Sequence, residues 1–256
     1  MTTAALARRS LRAVLVGPGA QRVLRDGAGA TAGGTVVYAF GPGGYVRFGE
    51  QHVLLAPARS PLGPLSLLVA GLGRGDLVVG DPAVVCGGAL SVGALRIDFA
   101  GAREASPPRF GPLQPGWRPA LRAALAVVAA APCALEPGLD DLAKGRVSAA
   151  VAQLAGRGEG LTPAGDDVLA GFAAWRWASG APVALASQRC APLGFEYLRC
   201  AERGELPAPA AAVLTAIRGG DATAAARRAS GLAEWGASSG AALLWGLAAG
   251  AAATSA

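Results

Sequence analysis

The stretch ASPPRFGPLQPGW, Ala105 to Trp117, is where the character of the chain changes. Its prolines, Pro107, Pro108, Pro112 and Pro115, lack a backbone N–H and hold φ near −65°, so neither a strand ladder nor a helix continues through it. It reads as a connector. Before it lie short β-rich runs separated by Gly and Pro: Thr35 to Phe40, Tyr45 to Phe48, His52 to Leu55, Leu77 to Val79, Ala83 to Cys86 and Ala94 to Phe99. Gly87-Gly88 fits a tight hairpin turn, since both residues take positive φ without a Cβ clash. Pro64 to Ala70 reads as a helix entered through proline.

After the connector the punctuation becomes helical. Helices are expected at Arg118 to Ala131, Leu139 to Leu154, Pro163 to Ala178, Gly194 to Glu202, Pro207 to Ile217, Ala222 to Trp235 and Ser239 to Ala251. Strands followed by helices, rather than alternating with them, give an α+β fold. The expected division is a β-rich N-terminal part, 1–115, packed with a mainly helical C-terminal part, 116–256.

The 256 residues include 52% hydrophobic and 16% charged side chains, which excludes disorder on composition. Mean hydropathy is +0.40, raised mostly by alanine, and no apolar stretch reaches the roughly 20 residues of a membrane span. At the N-terminus Arg8, Arg9 and Arg12 precede only Ala13 to Val16 before Gly17-Pro18. That run is shorter than the about 7 to 15 apolar residues of a secretory leader, so none is expected. Cys86, Cys133, Cys190 and Cys200 form no CxxC and have no histidine at metal spacing, as for reduced thiols in a cytoplasmic protein. The net charge of +6 comes from scattered arginines, since Lys144 is the only lysine. Without a dense basic run or interleaved aromatics, small anions are better partners than nucleic acid.

The single histidine, His52, sits in an expected strand, which argues against a Ser-His-Asp triad or a histidine metal site. There is no Walker A pattern. Gly156-Arg157-Gly158-Glu159-Gly160 is a weak phosphate-loop signal, and the RGD at Arg74 to Asp76 is taken as chance.

The turn Gly160-Leu161-Thr162-Pro163-Ala164-Gly165-Asp166-Asp167 carries more. Thr162 is placed as N-cap with Pro163 at the first helical position. Gly165 in the first turn costs roughly 1 kcal/mol against alanine, so something is expected close to the backbone there. Asp166 and Asp167 suit the helix dipole, although two adjacent carboxylates repel. The functional reading places glycines and helix N–H groups around an anion, with Asp166 and Asp167 holding Mg²⁺ or a substrate amide. A second helix mouth, Gly236-Ala237-Ser238-Ser239-Gly240, has the same small-residue character; Ser238 or Ser239 can cap its helix.

GEGLTPAGDDVLAG (Gly158 to Gly171) and GASSGAALLWG (Gly236 to Gly246) together resemble the AllH-like family. The resemblance takes in SPLGPLSLLV (Ser60 to Val69), the run Leu77 to Ala102 and FEYLRCAERGEL (Phe195 to Leu206). Glu159 stands where the family usually has proline, and Ala241-Ala242 where an acidic residue is expected. The resemblance implies a subunit of an oxamate carbamoyltransferase of anaerobic allantoin breakdown, which joins carbamoyl phosphate and oxamate to give oxalurate and phosphate. By position it implies substrate contacts from Gly160, Thr162, Gly165, Ser238, Ser239 and Gly240, and catalytic roles for Asp166 and Asp167. Its partners would be a small anionic substrate and other subunits. The Ser-Thr-Arg-Thr motif of ordinary transcarbamoylases has no equivalent here. Two other readings stay open: a non-catalytic scaffolding or binding subunit acting with partners on a related amide or ureido acid, and a stand-alone Mg²⁺-dependent transferase.

Overall fold

The computed structural model describes residues 9–28, 33–185 and 187–255; Arg8 of the basic start lies outside them. The fold is α+β, in two compact units, Met1–Ser106 and Pro107–Ala256.

The first unit holds β1 (Arg9–Val16), α1 (Pro18–Ala28), β2 (Gly33–Phe40), β3 (Gly43–Phe48), β4 (Gln51–Pro57), β5 (Ser66–Ala70), β6 (Pro82–Cys86), β7 (Ala89–Val92), β8 (Leu95–Asp98) and β9 (Arg103–Glu104). The strand order is β5-β4-β3-β2-β6-β7-β8-β1-β9, and β1 also pairs antiparallel with β5, so the sheet closes on itself. Closure satisfies edges that an open sheet would leave unpaired. Val46, Val53, Leu55, Leu67, Val85, Leu90 and Ile97 fill its core, together with Ala20, Val23 and Leu24 of α1. Gly87 and Gly88, at φ 54° and 77°, make the hairpin turn between β6 and β7.

Two expectations are corrected in this unit. Ser66 to Ala70 is strand β5, flanked by β4 and β1, and not part of a helix. A short apolar run buried on both faces has no periodicity to separate the two forms. Leu77 to Val79 is a loop, with Val78 and Val79 exposed.

The second unit contains α2 (Trp117–Leu125), α3 (Glu136–Ala143), α4 (Val147–Leu154), α5 (Ala164–Ala178), α6 (Pro192–Ala201), α7 (Ala208–Arg218), α8 (Ala222–Ala233) and α9 (Ser239–Ser255). The helix expected over Leu139 to Leu154 is two helices, broken at Lys144-Gly145-Arg146, where Gly145 has φ 73°. Asp141 holds the corner: it accepts from Arg146 Nε at 2.7 Å and Gln153 Nε2 at 2.6 Å. Among the described residues no helix is long and apolar enough to cross a membrane.

Helix α5 is the centre of this unit. Every residue from Gly165 to Trp175 is buried, so the helix is enclosed on all sides rather than amphipathic. Its most extensive neighbour is α9. A Cβ at Gly246 would lie 2.0 Å from the Val168 carbonyl oxygen, and one at Gly171 would lie 2.2 Å from that of Leu243. The backbones meet there with no room for side chains. Further along, Gly250 abuts Trp175, whose Nε1 donates to Thr254 Oγ1 at 3.2 Å. Early residues of α5 thus meet early residues of α9, and late meet late, so the two helices run parallel.

Replacing Gly246 by valine should destabilise the protein by about 1–3 kcal/mol or more through overpacking. Gly231→Ala, on α8 where a Cβ meets nothing within 4 Å, should stabilise by about 0.5–1 kcal/mol. Urea denaturation of both variants checks the pair, and equal effects would refute the close-approach account.

Candidate functional site

The parallel packing of α5 and α9 brings their N-termini to one place. Thr162, just before α5, and Ser239, the first residue of α9, are 77 positions apart, yet their hydroxyl oxygens lie 3.1 Å from each other. The two small-residue helix mouths therefore converge, which no local pattern in the chain could indicate.

The mouths share a design. Gly165 and Gly240 are each the second residue of their helix. A Cβ on Gly165 would fall 2.0 Å from the Leu154 carbonyl oxygen at the end of α4. On Gly240 it would fall 1.7 Å from that of Leu232 in α8. The Gly165 N–H donates to Arg157 O at 2.8 Å and the Gly240 N–H to Trp235 O at 3.1 Å. The close neighbour expected at Gly165 is thus the protein's own preceding helix. Thr162 is not the N-cap of α5. Pro163 takes that position, with φ −54° and ψ 143°, and its carbonyl accepts from the N–H groups of Asp166 and Asp167. The Thr162 hydroxyl turns to Ser239 instead.

Of the other expected contacts, Gly160 is exposed at φ 90°, with open space around its Cα. Ser238 is exposed, and its carbonyl accepts the Ala242 N–H at 3.0 Å. Arg157, in the loop before α5, is exposed and adds positive charge to that loop.

The adjacent aspartates have different fates. Asp166, 1% exposed, accepts the Gly156 N–H on Oδ1 at 2.7 Å and the Ala191 N–H on Oδ2 at 2.9 Å. It ties the α4–α5 loop to the start of α6, where Gly194 packs so closely that a Cβ would lie 2.2 Å from Oδ2. Burial pushes its carboxyl above the ordinary value, against the pull of those two N–H groups and the Cys190 thiol. Burial also pushes the Cys190 thiol up, to about 11. Asp167, 6% exposed, lies between the two mouths, and its Oδ2 has no hydrogen-bond partner. Its pKa is pushed up to about 7 by burial, with the charge of Asp166 adding to it; the hydroxyls of Ser239 and Thr162 pull it down.

The Mg²⁺ expectation bears on two aspartates whose oxygens are differently engaged. Both oxygens of Asp166 face N–H donors, which repel a cation, and among the described residues no group of three or more His, Cys, Asp or Glu is placed to hold a metal ion. Of the two carboxylates, only Asp167 has a buried oxygen without a hydrogen-bond partner.

The two aspartates should affect stability differently. Asp166→Asn leaves one N–H facing an amide NH₂, at a cost of about 1–3 kcal/mol in denaturant melts; an unchanged midpoint would refute the tie. Folded Asp167 keeps its proton to about pH 7, an unfolded aspartate only to about 4. The folded chain therefore holds more protons between these values, and this group's contribution to stability declines as pH rises from about 4 to 7, then levels off. Asp167→Asn should gain on the wild type across that window in thermal melts from pH 4 to 9. A constant difference would show that Asp167 is not held neutral.

No curated protein and no solved structure matches the chain. The matching family model covers residues 154–251, from the last residue of α4 into α9, and so includes the Gly160 to Asp167 turn, the Gly236 to Gly240 turn and the helix pair that joins them. It does not extend to the strand-rich motifs of the first unit. Over this segment the chain is similar to the family described as oxamate carbamoyltransferase subunit AllH, the family that its two motifs resemble.

Proposed function

We propose that this chain is a cytoplasmic subunit of an oxamate-type carbamoyltransferase serving allantoin breakdown, with an anion subsite where the mouths of α5 and α9 meet. The observation that carries this reading is the Thr162–Ser239 hydroxyl contact, which joins two sequence motifs inside the matched segment. Two parallel helices whose N-termini coincide add their dipoles at one point, which favours negative charge. Thr162 and Ser239 provide hydroxyl donors at that point, and Arg157 adds positive charge in the adjoining loop.

Both substrates suit such a place, since carbamoyl phosphate and oxamate are anions. In the reaction the oxamate amide nitrogen bonds to the carbamoyl carbon, the bond from that carbon to the phosphate oxygen breaks, and the proton lost by the amide nitrogen goes to the departing phosphate. Negative charge grows on the carbamoyl oxygen and the departing phosphate, where the positive ends of the two helix dipoles and the hydroxyls stabilise it. Residues Gly160 and Ser238 form the open rim, and Asp167 stands behind the hydroxyls. Asp166, Gly165 and Gly240 support the mouths from within.

The second reading, a scaffolding subunit whose chemistry lies on a partner chain, draws on one observation. Asp166, Gly165 and Gly240 are fully engaged in packing. A thermal-shift titration with carbamoyl phosphate, oxamate and oxalurate separates the two. Ligand at about 100 times its dissociation constant should stabilise the wild type by about 2.7 kcal/mol. Thr162→Val and Ser239→Ala should each weaken binding by about tenfold or more, as expected for losing a hydrogen bond to a charged group. No shift with any of the three would favour the scaffolding subunit.

A further inference from the structure

A hydroxyl has one proton to donate, and an ionised carboxylate can only accept. That rule acts on three side chains at the joint of α5 and α9. The Thr162 and Ser239 hydroxyl oxygens lie 3.1 Å from each other, and both hydroxyls act on the neighbouring Asp167 carboxyl, favouring its charged form. Asp167 is 6% exposed, and its Oδ2 is left without a partner. With the carboxyl ionised, hydroxyl protons point inward to it, and the face toward the helix mouths presents lone pairs. A proton on the carboxyl makes it a donor and frees the hydroxyl protons to point outward.

We infer that Asp167 is a positioning residue that sets the direction in which Thr162 and Ser239 donate, so that a small oxyanion, phosphoryl or carboxylate, enters the joint together with one proton. This rests on the anion-site reading above and adds its regulation by protonation. The surroundings favour the neutral form. Helices α4 and α9 carry no charged residue; α6 brings Glu196 and Arg199. Of the charges on these helices and on α5 itself, only that of Asp166 acts on Asp167, and it opposes ionisation. The unpartnered Oδ2 is costly as part of a buried anion and far less so as part of a neutral acid. The raised value near 7 places the change within the working range of a cell.

The test is calorimetric titration of the full chain with sulfate and with oxamate, neither of which titrates between pH 5.5 and 8.5, in two buffers of different ionisation heat. The wild type should take up close to one proton per anion at pH 8.5 and almost none at pH 5.5. Its affinity should fall about tenfold per pH unit above about 7. Asp167→Asn should bind with no proton uptake and a flat pH dependence. The double variant Thr162→Val, Ser239→Ala keeps the carboxyl but lacks the hydroxyls, so it should lose the uptake as well. Binding without uptake in the wild type, or uptake retained in either variant, overturns the inference and leaves the anion site standing. Absence of binding by either anion at every pH overturns the anion-site reading itself. Sulfate binding alone, or oxamate binding alone, assigns the subsite to the phosphoryl or the carboxylate end of the substrate pair.

Discussion

The contact between the backbones of α5 and α9 is the constraint on which the helical unit depends. Gly171 and Gly246 each face a carbonyl oxygen at a distance that leaves no room for a Cβ. Helices that approach this closely gain dispersion contact along their length and exclude water from the peptide groups between them. The parallel direction is the less common outcome for helices near one another in a small unit, and its consequence is electrostatic. Both positive ends lie at the same place, and the residues just before and just inside each helix become neighbours.

From that constraint the rest of the site follows. Each mouth needs a second glycine, Gly165 or Gly240, because the helix preceding it ends against the first turn. Those glycines serve the packing of α4 on α5 and of α8 on α9. The side chains that meet at the joint are then two part-buried hydroxyls and one buried carboxyl. A buried polar group must find partners or lose its charge. Asp166 takes the first course with two backbone N–H groups. Asp167 takes the second, holding a proton to about pH 7. Two identical side chains in sequence thus acquire unlike chemistry through the groups that surround each of them.

The closed sheet of the first unit shows the same division between local and distant causes. Its hairpin at Gly87-Gly88 is written in two adjacent residues, and so was readable. Strand β5 was not, because Ser66 to Ala70 owes its conformation to β4 on one side and β1 on the other. A five-residue apolar run has no periodicity of its own to declare, and its hydrogen bonds all go to distant segments.

The sequence by itself determined the α+β class, the positions of most helices after the proline-rich connector, and the two glycine-bearing turns that open α5 and α9. These are local matters of proline geometry, apolar periodicity and capping residues. The break at Gly145 went unread, because flanks with apolar residues at helical spacing mask a single glycine. Only the tertiary structure decided that Thr162 meets Ser239 rather than capping α5, and that Asp166 belongs to the framework while Asp167 faces the joint. The reason is that a hydrogen bond between residues 77 positions apart leaves no mark in the spacing of either segment. The burial that raises a carboxyl's pKa likewise belongs to its neighbours in space, and they come from other parts of the chain.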